Sequence, residues 1–306
     1  MNGLLLIDKP QGITSHGVVA RLRRLLGEKK IGHGGTLDPL ATGLLPVLVG
    51  EGTKMARFFL GLDKTYLATM KLGEATDTDD AEGRVIATAP VCVNPAEVER
   101  VLQGFVGRQW QRPPDFCALK EEGRPLYCRA RRGEVVEPQP REIEIYALEV
   151  LEITGPEGNP DTVSFRLACA SGTYVRAVAR DAGERLGTRA HLTALRRLSV
   201  GPWRVEDALP LAELEDGPRG AKKLAEGRLV GLNEALRHLP ELEVDEAKAQ
   251  RIRLGVPAAA ELPRPPEDMA GVVRLTTGGE LVAVLEAAGA AGARELRTLR
   301  VFMPQS

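Results

Sequence analysis

The chain has 306 residues, 43% hydrophobic and 27% charged, a usage that excludes disordered, collagenous and simple fibrous classes. Its 41 basic and 42 acidic side chains leave a formal net charge of −1, which alone argues against a nucleic-acid protein. The sum conceals blocks: residues 1–36 carry six Lys or Arg against Asp8 and Glu28, Ser164–Arg204 carries eight Arg against Asp181 and Glu184, and Gly73–Gln103 carries seven acids against Arg84 and Arg100.

In chain order, the spacing predicts an amphipathic helix over Thr14–Leu26, capped by Ser15, with Val18, Val19, Leu22, Leu25 and Leu26 on one stripe and Gly27 past its end. Lys64–Leu72 alternates as a strand with Tyr66, Ala68, Met70 and Leu72 on one face. Asn94-Pro95-Ala96-Glu97 combines an N-cap, a first-turn proline and a capping-box glutamate, opening a second helix through Phe105. Glu142–Ile153 alternates with a slip near Tyr146, which marks a bulge, and Thr162–Ala170 alternates cleanly. A third helix is expected over Thr173–Leu186, closed by Gly187. The region Leu211–Gly227 is charged and Gly-rich, and short strands at Gly271–Leu275 and Glu280–Leu285 flank the Gly278-Gly279 turn. Unequal helix spacing suggests a mixed sheet with helices on its faces, followed by a small β-rich domain.

No run reaches the ~18 apolar residues of a membrane span. The N-terminal residues lack the basic region of a secretory signal, so a cytoplasmic location is expected. Cys92, Cys117, Cys128 and Cys169 show no CxxC spacing and read as reduced thiols, while His16, His33, His191 and His238 form no HExxH pattern. No metal is expected. Gly50-Glu51-Gly52-Thr53-Lys54 lacks the glycine that a phosphate-binding loop needs before its lysine, and Asp77-Thr78-Asp79-Asp80 is half a calcium loop with Glu82 at the required glycine.

The densest unusual segment is Ile31–Gly43, IGHGGTLDPLATG. Its glycines permit close approach of another chain, and Pro39 pushes Asp38 towards an extended backbone, which presents an oriented acid. Alternatively this is an ordinary glycine-rich turn in which Asp38 caps backbone amides. The basic blocks likewise read either as a polyanion-binding face or as solvated helix surface.

These segments together resemble the TruB family of tRNA pseudouridine synthases. The resemblance runs through Gly3–Gly12, Gly32–Gly43, Lys64-Thr65-Tyr66, Thr76–Gly83, Ala118-Leu119-Lys120, Leu126-Tyr127, Gly172–Arg176, Ala190-His191-Leu192 and Leu195–Leu198. It implies isomerisation of the uridine at position 55 in the T loop of tRNA. The implied fold is α+β, a mixed and largely antiparallel central sheet with flanking helices, plus a small β-rich C-terminal PUA-like domain. The expected division is a catalytic unit over 1–235 and an RNA-binding unit over 240–303. The reaction consumes no external group, so no cofactor is expected, and the implied enzyme is a monomer whose partner is tRNA.

By the same resemblance Asp38 does the covalent work, attacking either uracil C6 or sugar C1′. A nucleophilic carboxylate must stay ionised when substrate expels water, which desolvation opposes, and a bidentate Arg176 is the expected counter-cation. The implied roles continue with Tyr66 stacking on the extruded uracil and helping to remove the C5 proton. His33 stacks where the base was, Tyr174 and Leu195 form pocket walls, Lys9 supports the site, and Asp80 is a polar partner near the base or Arg176. Gln111–Arg141 resembles an insertion that grips the T arm, with Lys120, Arg124, Arg129, Arg131, Arg132 and Arg141 expected on RNA phosphates. Ser171 departs from the family, where many relatives have lysine, which puts one backbone contact in doubt. Two further readings stand beside this one: an RNA-folding factor that works without Asp38, and a guide-dependent enzyme like the dyskerin relatives, against which the insertion argues.

Overall fold

The apolar runs at the N-terminus become paired neighbouring strands. In the computed structural model, which describes residues 1–117, 120–121, 124–125, 138–156, 159–215, 217–255, 271–288 and 295–304, the main sheet contains β1 (Gly3–Lys9), β2 (Thr42–Val49), β3 (Lys64–Leu72), β4 (Gly107–Gln111), β5 (Arg141–Thr154), β6 (Thr162–Cys169), β7 (Ala190–Val200) and β8 (Leu209–Pro210). Their spatial order is β8-β1-β2-β7-β3-β6-β5-β4. Only the β1–β8 and β2–β7 pairings along this path are parallel. The fold is thus α+β with a mixed, largely antiparallel sheet, as the family resemblance implies.

Leu4–Ile7 of β1 and Leu44–Val49 of β2 are apolar runs because both faces of these strands are covered. Leu5, Ile7, Leu45 and Val47 pack with Val18 and Leu22 of α1 (Ser15–Leu26) and Ala221 and Ala225 of α4 (Pro218–Arg228). Their alternates Leu4, Leu6, Leu44 and Leu48 pack with Phe59 and Trp203, and with Leu281, Val284 and Phe302. Of these last three, Leu281 and Val284 belong to a second sheet of β9 (Glu241–Glu243), β10 (Gly271–Thr277), β11 (Glu280–Ala288) and β12 (Glu295–Val301), paired in that order, and Phe302 follows β12 directly. Two further helices, α2 (Pro95–Gln103) and α3 (Val175–Arg185), bury Val98 and Leu102, and Val178, Ala179 and Ala182, against the remaining strands.

Local chemistry sets the boundaries. Asn94 caps α2 by accepting from the Glu97 amide at 2.9 Å, as predicted. The expected slip near Tyr146 is present as a register shift between Ile145 and Ala147. The N-terminus of α1 differs from expectation: its cap is Thr14, whose hydroxyl accepts from the Gly17 amide at 2.9 Å. Ser15 points inward instead and is buried against the turn that carries Asp38. The third helix begins later than predicted, at Val175, because the Thr173 hydroxyl bonds back to the Ala170 carbonyl rather than capping it.

Candidate functional site

Asp38 sits on the turn between the short strand Ile31–His33 and β2. Glycine is required at both ends of that turn. A Cβ on Gly34 would lie 2.6 Å from Cβ of Phe59, and one on Gly43, where φ is +97°, would lie 2.3 Å from the Arg197 carbonyl oxygen. Close packing therefore seats the turn against β7.

Arg176, second residue of α3, is buried beside Asp38. Its Nε lies 2.9 Å from Oδ2 of Asp38 and 3.6 Å from Oδ2 of Asp80. The expected bidentate fork does not form. Nη1 donates to the Thr78 carbonyl at 2.7 Å and Nη2 to the Phe116 carbonyl at 3.0 Å, which leaves only Nε facing the carboxylate. That N–H is not aligned as a hydrogen bond, so the contact with Asp38 is Coulombic. The arginine is thus held by two carbonyls while its charge is shared between two acids, of which Asp38 is 37% exposed and Asp80 only 5%. Asp80 is itself fixed, its Oδ1 accepting from the Thr78 hydroxyl at 2.6 Å and the Glu82 amide at 3.1 Å.

Two cavities meet at this pair. One, about 460 Å³, is lined by Asp38, Arg176, Tyr66, Tyr174, Leu195 and Arg197. The other, about 610 Å³, is lined by Asp38, Arg176, Asp80, His16, His33 and Glu82. Both volumes are within the roughly 300–1,000 Å³ of small-molecule sites. Tyr66 projects from β3 and is buried, and burial raises its phenol pKa. Tyr174 is pushed up for the same reason. Its backbone is held from both sides by Gln111, whose Oε1 accepts from the Tyr174 amide at 2.9 Å while Nε2 donates to its carbonyl at 3.1 Å. Burial, with help from the Arg197 charge, lowers the His33 pKa.

Lys9 lines neither cavity. It is fully buried behind the turn, with Nζ donating to the carbonyls of Pro10 (3.0 Å), Ile13 (2.7 Å) and Pro39 (3.3 Å). Burial pulls its pKa down to about 8. Arg141 is exposed at the start of β5. Lys120 and Arg124 lie on two-residue strands that pair with each other, and Arg129, Arg131 and Arg132 lie outside the described residues.

Sequence reasoning passed over Arg197 as a site residue. It is 1% exposed in the middle of β7, opposite Tyr66 on β3 and Gly43 on β2. Its Nε donates to the Leu44 carbonyl at 2.7 Å, and Nη1 and Nη2 donate to the Thr36 and Gly35 carbonyls at 3.2 Å each. A buried cation that grips three backbone carbonyls and also meets the Tyr66 hydroxyl looks, in sequence, like any outward arginine of a basic strand. The one available signal is its i, i+2 spacing from Leu195, which puts both on one face.

The arrangement offers a carboxylate with a fixed counter-cation at the junction of two nucleoside-sized hollows, one walled by tyrosines. Among the described residues there is no cluster of His, Cys, Asp and Glu able to hold a metal, and no helix long and apolar enough to cross a membrane.

Comparison with solved structures gives the class: a chain of the Cbf5-Nop10-Gar1 complex superposes with a TM-score of 0.71 at 27% identity, over 99% of this chain and 85% of that one, so the fold is that of the pseudouridine synthases. The model of the TruB family pseudouridylate synthase N-terminal domain matches residues 23–175, and that of the tRNA pseudouridylate synthase B C-terminal domain matches 176–238. Proteins called tRNA pseudouridine synthase B are 45% identical in Geobacter sulfurreducens, over 99% of this chain and 100% of that protein, and 44% identical in Dechloromonas aromatica, over 94% and 91%. The chain belongs to the TruB family.

Proposed function

We propose that this protein converts uridine at position 55 of the tRNA T loop to pseudouridine, with Asp38 as the covalent nucleophile. The observation that carries the reading is the Asp38–Arg176 contact of 2.9 Å on the wall shared by the two cavities. The T-arm base must leave its stack, at a cost of a few kcal/mol, before it can reach this wall. The smaller cavity takes the extruded uracil between Tyr66, Tyr174 and Leu195, and the larger, with His33, borders the RNA it has left.

In the reaction Asp38 adds to uracil C6 or displaces uracil at C1′. The C1′–N1 bond breaks, the ring turns, C5 bonds to C1′, the ester to Asp38 is released, and C5 loses a proton while N1 gains one, so that substrate and product are isomers. Arg176 holds Asp38 charged once water is expelled, because a cation already anchored on two carbonyls costs no reorganisation at that moment. Tyr66 enters as a neutral phenol, since burial raises its pKa. Its first role is then a stacking surface and hydrogen-bond donor rather than a base. Asp80 keeps the guanidinium in place, and Lys9 supports the turn through Pro39.

The remaining parts of the reading follow from family membership and composition. Residues 1–235 form the catalytic unit and 240–303 a PUA-like RNA-binding unit, with the 111–141 insertion and its basic residues on the T arm. The enzyme works as a cytoplasmic monomer without metal or cofactor.

Tritium release from 5-tritiated uridine in a T-arm hairpin tests the assignment. Asp38→Asn should bind the hairpin nearly as wild type does and release no tritium above background. Full release by that variant would remove Asp38 from the reaction.

A further inference from the structure

The turn that carries Asp38 is held by side chains from distant parts of the chain, and each grips a different residue. Arg197 takes the carbonyls of Gly35 and Thr36, Lys9 that of Pro39, and the Pro39 carbonyl also accepts from the Gly12 amide at 2.9 Å. The residue immediately before Asp38 is held by Ser15 alone among these. The Ser15 hydroxyl accepts from the Leu37 amide at 2.8 Å and donates to the Leu37 carbonyl at 3.1 Å. Ser15 is 2% exposed and Leu37 4%, so water does not replace either bond.

We infer that Ser15 is a positioning residue for Asp38: its paired bonds to the Leu37 peptide groups fix the direction in which the Asp38 side chain leaves the turn. A single hydroxyl that engages both main-chain groups of Leu37 restrains the two peptide planes flanking it; the first also carries the Thr36 carbonyl held by Arg197, and the second runs from Leu37 to Asp38. Among the described residues no other hydrogen bond holds the second of these planes. The Arg176 contact does not, because its Nε meets Asp38 without hydrogen-bond alignment and so supplies charge rather than direction. The first turn of α1 thereby acquires a task unrelated to helix formation. Thr14 supplies the cap, which frees Ser15 to face inward. Ser15 also borders the larger cavity, so a direct contact with RNA is the alternative that an experiment must separate.

This inference rests on Asp38 as nucleophile, and the test carries Asp38→Asn alongside. Steady-state kinetics on the T-arm hairpin would be measured for Ser15→Ala, Ser15→Thr and a remote control, Asn94→Ala, which removes the α2 cap. A misdirected nucleophile loses turnover without losing binding, and displacement of about 1 Å costs about a hundredfold. Ser15→Ala is expected to lower kcat by about ten- to a hundredfold with KM within about twofold of wild type. Ser15→Thr, which keeps the hydroxyl, should retain most of kcat. Asn94→Ala should lower the melting temperature and leave both constants unchanged. A normal kcat for Ser15→Ala overturns the inference, as does a raised KM at normal kcat, which would make Ser15 an RNA contact. A loss in Asn94→Ala matching that in Ser15→Ala overturns it too, by reducing the effect to general instability. If Asp38→Asn turns over normally, the nucleophile assignment itself fails, whatever Ser15→Ala does.

Discussion

Arg176 stands between two carboxylates, and the consequences of removing it can be worked from the distances. At 3.6 Å from Asp80, with both side chains 5% exposed, the attraction is on the order of 4 kcal/mol at an effective dielectric constant near 20, before the cost of burying both charges is subtracted. Arg176→Met also frees the Thr78 and Phe116 carbonyls, each of which accepts a charged hydrogen bond that contributes roughly 1.5–3 kcal/mol. It leaves Asp80 as a buried anion with no cation against it. The expected loss is about 3–5 kcal/mol, the usual result of removing one partner of a buried pair. Asp80→Asn removes that leftover charge. The double variant Arg176→Met/Asp80→Asn should therefore be more stable than Arg176→Met alone, with a coupling of about 1–3 kcal/mol. Urea titrations of the four proteins, followed by tryptophan fluorescence, measure this directly. Tritium release separates stability from chemistry, because the double variant regains stability and still lacks the guanidinium beside Asp38. Additive losses, within about 0.5 kcal/mol, would refute the shared-cation reasoning, as would recovery of turnover in the double variant.

Asp79 gives a pH-dependent prediction. Its φ of +60° is a left-handed conformation that suits Asn, and burial raises its pKa from 3.8 to about 6 although Arg180 lies 2.9 Å away. The folded state holds this proton more tightly than the unfolded one, so stability falls as pH rises from about 4 to 6, and the charged form is penalised above that window. Asp79→Asn should remove this titration, so that the stability of the variant rises relative to wild type as pH goes from about 4 to 6, on top of a constant cost for losing the Arg180 pair. A difference independent of pH across that window would contradict this. Gly43→Ala should cost on the order of 3 kcal/mol or more, from the positive φ and the overlap with the Arg197 carbonyl. Gly61→Ala, with open space around it, should change the urea midpoint little, and equal effects at the two sites would undo the close-packing argument.

What could be read from sequence divides according to the range of the interactions. Strand β3 and helix α2 were legible because alternation and capping act over a few residues. That Asp38, Tyr66 and Arg176 meet at one cavity was legible through family motifs. How Arg176 is held was not, because its acceptors lie 98 and 60 residues away in the chain and are backbone carbonyls with no residue signature. The acidic segment Asp77–Asp80 shows the same limit. Read linearly it is a failed calcium loop. Folded, it receives Arg176 through Thr78 and Asp80, and Arg180 through Asp79. Arg197 was passed over and Ser15 read as a helix cap because each bonds main-chain groups of the turn, and a strand arginine and a helix-start serine are common for ordinary reasons.

The leucines of β1 and β2 that face away from α1 have a bearing on how this protein can be cut or grafted. Leu4 and Leu44 share a cluster with Leu281, Val284 and Phe302, so the carboxy-terminal strands serve as the floor of the amino-terminal ones. Deleting that tail would uncover a greasy plate next to the segment that carries Asp38, and transplanting it onto another scaffold would require the matching leucines to travel with it. The tail is in this respect a wall shared by two rooms, and loss of the wall would be felt in both.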